Sequence, residues 1–164
     1  VGPKDDPAQI GAAKTTVEAF QKIAAAKARF ASRSDDSGTH KAEHRFWRTA
    51  GATPKDASGK WYLETGLGMG ATLNFAVQAD AYTLTDRATW LTFKNKTTHM
   101  PLYQGDPALF NQYGVVLVSQ THCPTIKVAE SRIFVDWLLS PKGQNAIATF
   151  QHENRPLFFP NATP

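Results

Sequence analysis

The feature that most constrains the fold is a short extended segment followed by a loop and a helix, an arrangement that occurs twice. The first instance runs from a strand predicted over residues 28–32, through the polar loop 32–40, into a helix from about residue 39 to 48. The second runs from extended residues 61–64, through the glycine-rich run 66–70, into a helix over 71–79. Short strands alternating with helices predict an α/β protein.

The rest of the chain continues the alternation. Further strands and helices are predicted over residues 15–27, 82–84, 86–91, 113–119, 126–139 and 141–150. The run 113–119 is rich in β-branched residues, which is typical of a buried strand. Large apolar side chains of the last two helices are expected in the core: Phe134, Trp137, Leu138, Ile147 and Phe150.

Composition limits the classes of function. The 164 residues are 41% hydrophobic and carry a net charge of +4. Lys and Arg are scattered singly, without the basic and aromatic clusters of a nucleic-acid surface, so no nucleic-acid partner is expected. No apolar run approaches the ~20 residues that span a bilayer, so we do not expect a membrane-spanning chain.

The first loop has the residue types of an anion site. Ser37, Gly38 and Thr39 lead into a predicted helix, whose first N–H groups and dipole favour negative charge. Arg33 adds a planar, permanently charged donor that suits two oxygens of one oxyanion. A purely structural interpretation stays open, in which Ser37 or Asp36 only caps the helix and Arg33 pairs with a neighbouring aspartate.

The second loop also matches a dinucleotide-binding pattern, which would imply an NAD(P)-dependent enzyme. Gly66, Gly68 and Ala71 have the spacing of the fingerprint, and Asp86 follows 20 residues after Gly66. The preceding extended segment is short and lacks the buried Val and Ile of a central parallel strand. The pattern therefore stays an alternative.

A zinc site is the other alternative. His40, Glu43 and His44 match the H-x-x-E-H pattern, which places two imidazoles on one face of a helix beside a carboxylate. Five residues are a short match, and no third ligand can be named from the sequence. Two solvated histidines on a charged helix account equally well for the same sequence pattern.

Taken together, the long motifs resemble the tungstate-binding proteins of ABC transporters. The resemblance is carried by residues 32–40, 61–74 and 82–90 in this order, and it continues through 109–115 and 134–144. It implies a type II periplasmic-binding-protein fold, with two α/β lobes joined by crossover strands. Ser34 stands where that family often has glycine.

The same resemblance implies a division of the chain. Residues of about 4–112 would form the second lobe, and residues 113–164 the return crossover strand and C-terminal helices of the first lobe. The N-terminal part of the first lobe would be absent from this chain. All 164 residues would thus belong to one periplasmic-binding-protein-like domain.

The resemblance also implies a function and a site. The protein would bind tungstate or molybdate without a cofactor, bind no metal ion, catalyse no reaction and deliver the oxyanion to an ABC transporter permease. It would be periplasmic or extracellular, with a membrane anchor in the missing N-terminus as an open alternative. The expected ligand-binding residues are Arg33, Ser37, Gly38, Thr39, Gly70 and Thr72.

Overall fold

The chain forms two compact units, residues Val1–Phe110 and Asn111–Pro164. This computed structural model describes residues 1–162, so the first-lobe segment predicted to end at residue 164 extends outside them. Within the described residues, no helix combines the length and the apolar character that crossing a membrane requires.

The first unit is built from short strands and helices in alternation. Its elements are β1 (Gly2–Pro3), α1 (Thr16–Ala26), β2 (Phe30–Ser32), α2 (Gly38–Thr49), β3 (Tyr62–Glu64), α3 (Met69–Gln78), α4 (Arg87–Thr92) and β4 (His99–Met100). Strands β2 and β3 are parallel, and β1 pairs with β4 antiparallel. Because the carboxyl ends of parallel strands lie at one edge, the loops that lead into α2 and α3 begin side by side.

An aromatic core holds α1 and α2 against the parallel strands. The rings of Phe20 and Trp47 meet edge to face at 4.5 Å between centroids, and Phe30 stacks on Tyr62 at 6.2 Å. All four side chains are buried. Burying an aromatic or large aliphatic side chain contributes roughly 1.5–3 kcal/mol, so this cluster fixes where α2 starts relative to the strands.

Local signals explain most of the helix boundaries. Thr15 caps α1 by accepting the N–H of Glu18, and Asp86 caps α4 by accepting that of Thr89. The predicted helices of this unit are therefore confirmed to within a few residues. The strand predicted over 82–84 is reduced to one parallel bridge, in which Tyr82 pairs with the free edge of β2 at Phe30.

The second unit consists of two helices and a small hairpin. Its elements are α5 (Val128–Leu139), α6 (Pro141–Thr149), β5 (Gln151–His152) and β6 (Arg155–Pro156). The predicted helices are confirmed. An added Cβ at Gly143 would overlap the carbonyl oxygen of Trp137, so glycine permits the close approach of α6 to the end of α5.

Two expectations for the second unit are wrong. Residues 113–119 form no regular strand, because no other strand in the described part of the chain pairs with them. The side chains expected in the core are not buried: Phe134, Trp137 and Phe150 are 57%, 41% and 58% exposed, and Leu138 and Ile147 are half-buried. Their apolar character is that of a core, yet residues 111–162 supply too little surface to cover them.

Candidate functional site

The N-terminus of α2 lies just beyond the carboxyl end of β2. Ser37 is the N-cap, and its hydroxyl accepts the N–H of His40 at 3.3 Å. The N–H groups of Gly38 and Thr39 belong to the first turn, where no acceptor exists within the helix. These amides and the positive end of the helix dipole can therefore receive an anion.

The N-terminus of α3 is more open. Gly68 is the N-cap and supplies no side-chain hydrogen bond, so the first-turn amides of Met69, Gly70 and Ala71 have no capping acceptor. An added Cβ at Gly68 or Gly70 would meet no atom within 4 Å. Backbone N–H groups at this end are therefore accessible to a ligand at close range.

The two loops are bonded to each other. The backbone N–H and the hydroxyl of Thr65 both donate to the carbonyl oxygen of Ser32, each at 2.9 Å. The hydroxyl of Ser34 donates to Oε1 of Glu64 at 3.2 Å. These bonds join residues 33–37, which we call the Arg33 loop, to the segment that enters α3. The two helix ends are thus held in one arrangement.

Arg33 is paired within its own loop. Its Nε donates to Oδ2 of Asp35 at 3.1 Å, and its Nη2 donates to the same oxygen. Hydrogen bonds from Ser37, and then from Arg33, lower the pKa of Asp35 to about 2, so the pair is ionised at neutral pH. The structure therefore shows the pairing of Arg33 with a neighbouring aspartate that the purely structural interpretation of this loop expects. A guanidinium has five N–H groups, and three remain for a ligand.

Thr39 and Thr72 differ in what their hydroxyls can do. Thr39 is half-buried in the first turn of α2. Thr72 is fully buried, and its hydroxyl donates to the carbonyl oxygens of Leu67 and Gly68, at 3.2 and 3.1 Å. A hydroxyl has one proton, and in Thr72 these two contacts already use it. They stabilise the turn before α3. They lend no support to its predicted role as a donor.

Glu43 has a buried role that sequence reasoning missed. Its side chain is 2% exposed and accepts three hydrogen bonds, from Ser32 at 2.8 Å, Tyr62 at 2.7 Å and Trp47 at 3.1 Å. Burial raises the pKa of Glu43 to about 7, against the lowering effect of these donors. Only the position of Glu43 four residues before Trp47 is visible in the sequence; the other contacts depend on the fold.

The zinc alternative is not supported by these contacts. His40 and His44 do meet, with their Nε2 atoms 2.7 Å apart, and Nδ1 of His40 accepts the N–H of Asp36 at 3.1 Å. The carboxylate of Glu43 instead faces the core and binds Ser32, Tyr62 and Trp47. Among residues 1–162, no group of three potential ligands could hold a metal ion.

The contacts of Asp86 do not support the dinucleotide-binding alternative. Both carboxylate oxygens of Asp86 bind Thr89, Oδ1 its N–H at 2.8 Å and Oδ2 its hydroxyl at 2.6 Å. Asp86 therefore caps α4 and is not presented to a ribose. The strand before the glycines has three residues, which is short for the central strand of a dinucleotide fold.

Comparison with known families places the fold. The family model described as the PBP superfamily domain matches residues 1–142. The chain therefore belongs to the PBP, or periplasmic binding protein, superfamily, and the predicted α/β fold class is confirmed. The division into a second lobe and part of a first lobe stays a prediction.

Individual relatives are similar over almost the whole chain. The tungstate-binding protein TupA of Peptoclostridium acidaminophilum is 39% identical over 99% of this chain and 57% of its own length. The solved tungstate-binding protein TupA of Desulfovibrio alaskensis is 40% identical with a TM-score of 0.78, over 99% of this chain and 66% of that one. A solved tungstate ABC transporter protein of Geobacter sulfurreducens is 41% identical with a TM-score of 0.78, over 92% and 62%. The chain thus spans about three fifths of the length of these relatives.

Proposed function

We propose that this chain forms the oxyanion-binding part of a substrate-binding protein that captures tungstate or molybdate for an ABC transporter. The observation that carries the proposal is the pair of helix N-termini, at Gly38 and Met69, that start from one edge of the β2–β3 pair. Their first-turn amides and Arg33 are all donors, as a fully deprotonated oxyanion requires. Relatives named as tungstate-binding proteins at 39% and 40% identity support the ligand class.

The chemistry of the donors accounts for selectivity against phosphate. Hydrogen phosphate carries a proton that needs an acceptor, and a P–OH group that faces only donors loses ~1–3 kcal/mol or more. The carboxylate of Asp35, in the Arg33 loop, already accepts from Arg33 and Ser37. Tungstate and molybdate are nearly equal in size, so the preference for tungstate rests on the resemblance to tungstate-binding relatives.

The proposed activity is capture and delivery, without catalysis. Closure of two lobes around the ion would signal to the permease of the transporter. We also propose that further polypeptide completes the first lobe, since large apolar side chains of the second unit, such as Phe134 and Phe150, lie exposed. A protein with this task would be periplasmic or extracellular.

Isothermal titration of the full-length protein with tungstate, molybdate, sulfate and phosphate tests the proposal. We expect tight binding of tungstate and molybdate, weaker binding of sulfate and no measurable heat with phosphate. Tight phosphate binding without tungstate heat would show that the site presents an acceptor, and the proposal would then be wrong.

A further inference from the structure

Glu43 connects the elements that supply the candidate site. It lies on α2, and its three donors lie on β2 (Ser32), β3 (Tyr62) and α2 itself (Trp47). Strands β2 and β3 lead into the two loops that precede the helix N-termini, while α2 carries one of those termini. One buried side chain therefore links both strands to one donor helix.

The contacts continue from Glu43 into the Arg33 loop. The hydroxyl of Ser32 donates to Oε2 of Glu43 at 2.8 Å, and the same oxygen of Ser32 accepts the N–H of Ser34 at 3.3 Å. Ser34 adopts a left-handed backbone conformation, with φ of 47°. A residue other than glycine is disfavoured there, so the loop needs contacts that hold it.

A buried carboxylate would lower the stability of the fold if packing were its only role at this position. Placing a charge in the interior costs several kcal/mol before its hydrogen bonds compensate, and an apolar side chain of similar size often gives equal or greater stability. Burial accordingly raises the pKa of Glu43. What a carboxylate does and an apolar group cannot do is accept from Ser32, Tyr62 and Trp47 together.

We propose that Glu43 is a positioning residue of the oxyanion site, which through Ser32 fixes the conformation of the Arg33 loop. This rests on the proposed function, and Glu43 itself touches no ligand. Its carboxylate orients the Ser32 hydroxyl, which can then accept the Ser34 N–H. That bond holds the turn from which Arg33 and the first amides of α2 are presented.

The sign of the effect separates positioning from simple charge. At about pH 8, where Glu43 is mostly ionised, Glu43→Gln removes a negative charge from the helix that supplies one end of the site, so electrostatics alone would tighten tungstate binding. Oε1 of Glu43 accepts from Tyr62 and Trp47, and Oε2 accepts from Ser32, so an amide nitrogen in place of Oε2 can no longer accept the Ser32 hydroxyl. Positioning therefore predicts weaker binding, of the order of tenfold, as loss of a supporting hydrogen bond typically gives.

The matched control is Asp106→Asn, the same change of chemistry elsewhere in the first unit. The carboxylate of Asp106 accepts from the backbone N–H and hydroxyl of Thr16, at 2.6 and 2.7 Å, and from the N–H of Ala108 at 2.8 Å. None of these residues belongs to the loops that enter α2 or α3. Asp106→Asn should leave tungstate affinity unchanged even where it lowers stability.

The relay through Ser32 gives a second test that does not depend on Glu43→Gln folding well. Ser32→Ala should weaken tungstate binding by a similar factor, and the double variant should be no weaker than either single variant. Residues that act through one contact are non-additive in this way, whereas independent sites add. Additive losses in the double variant would contradict the relay.

The experiment is tungstate titration of the full-length parent, the Glu43, Ser32 and double variants, and Asp106→Asn, with amide hydrogen exchange of Ser34 measured without ligand. We expect weaker binding and faster Ser34 exchange in the Glu43 and Ser32 variants only. Unchanged or tighter binding by Glu43→Gln, with unchanged exchange, would overturn the proposal. If the parent itself bound no tungstate, the proposed function would fail, and the exchange data alone would decide whether Glu43 holds the loop.

Discussion

The guanidinium group of Arg33 donates two hydrogen bonds to a single oxygen of Asp35, and the other oxygen of Asp35 accepts the N–H of Ser37. The charged donor of the candidate site is therefore oriented before any ligand arrives. A donor held in place loses less entropy on binding than a free side chain, which favours affinity. With the second carboxylate of Asp36, the Arg33 loop carries a formal charge of −1, so affinity for an anion depends on the geometry of its donors as well as on charge.

Arg33→Ala should weaken tungstate binding by roughly two orders of magnitude, because charge-assisted hydrogen bonds contribute ~1.5–3 kcal/mol each. Arg33→Lys should recover part of the loss, since an ammonium keeps the charge without two parallel donors. Isothermal titration measures both. Arg29→Ala is the control: Arg29 is exposed just before β2, at the opposite end from the site, and donates to the carbonyl oxygen of Ala79. An equal loss in the control would reduce the role of Arg33 to net charge.

Arg33 and Asp35 should be strongly coupled in binding. Arg33→Ala leaves the carboxylate of Asp35 facing a dianion, and this carboxylate is ionised, because hydrogen bonds from Ser37, and then from Arg33, lower its pKa to about 2. In an Asp35→Asn background that repulsion is absent, so Arg33→Ala should weaken tungstate binding by a smaller factor. A double-mutant cycle by titration measures the difference. Additive effects would mean that Arg33 and Asp35 act on the ligand independently.

Thr39→Ala should cost about 1 kcal/mol of binding free energy, the usual contribution of one neutral hydrogen bond, and Thr39→Ser should cost less. Thr49→Ala serves as the control at the other end of α2, where the Thr49 hydroxyl donates to the carbonyl oxygen of Arg45. The control should bind tungstate like the parent. If Thr39→Ala also matched the parent, backbone amides alone would carry recognition at α2.

Gly70→Ala should separate stability from binding. Alanine is favoured over glycine inside a helix by up to about 1 kcal/mol, and its methyl group meets no atom within 4 Å here, so thermal stability should not fall. The same methyl group should obstruct an oxyanion that approaches the first-turn amides of α3. We expect unchanged or higher melting temperature with weaker tungstate affinity. Unchanged affinity would place the ligand away from α3.

Glu43 should make stability depend on pH. Burial raises its pKa from 4.5 to about 7, so between these values the folded state binds more protons than the unfolded state, and the free energy of unfolding falls as pH rises. Among titratable neighbours, Tyr62 lowers this pKa by donating and Glu64 raises it by its charge. Urea unfolding at about pH 5 and about pH 8 should show the parent losing up to ~3 kcal/mol more than Glu43→Gln. Parallel losses in both proteins would contradict the raised pKa.

The sequence was sufficient to predict what depends on local signals. Ser37 as a possible cap and Asp86 as the cap of α4 follow from side chains that bind backbone groups three residues away, so both helix starts could be predicted. The two helix ends also followed from residues 37–39 (Ser, Gly, Thr) in the first loop and from the glycine-rich run 66–70 in the second. The alternative that Arg33 pairs with a neighbouring aspartate was open because Asp35 is close in sequence.

What failed depends on contacts between distant residues. Glu43 matched a short zinc pattern, but Ser32 and Tyr62, 11 and 19 residues away, determine where its carboxylate points. The β-branched run 113–119 predicted a strand, but pairing requires a neighbouring strand that local composition cannot supply. The role of Thr72 as a donor to the ligand stays a prediction; its hydroxyl donates to the carbonyl oxygens of Leu67 and Gly68, contacts that depend on the folded turn before α3.

The most direct test of the account is an anomalous difference map at the tungsten absorption edge, from crystals of the full-length protein grown with tungstate. We expect one strong peak within hydrogen-bond distance of the Gly38 and Thr39 amides, the first-turn amides of α3 and the Arg33 guanidinium. A peak that contacts neither helix N-terminus, or none in crystals soaked to saturation, would contradict the claim that these two helix ends hold the oxyanion.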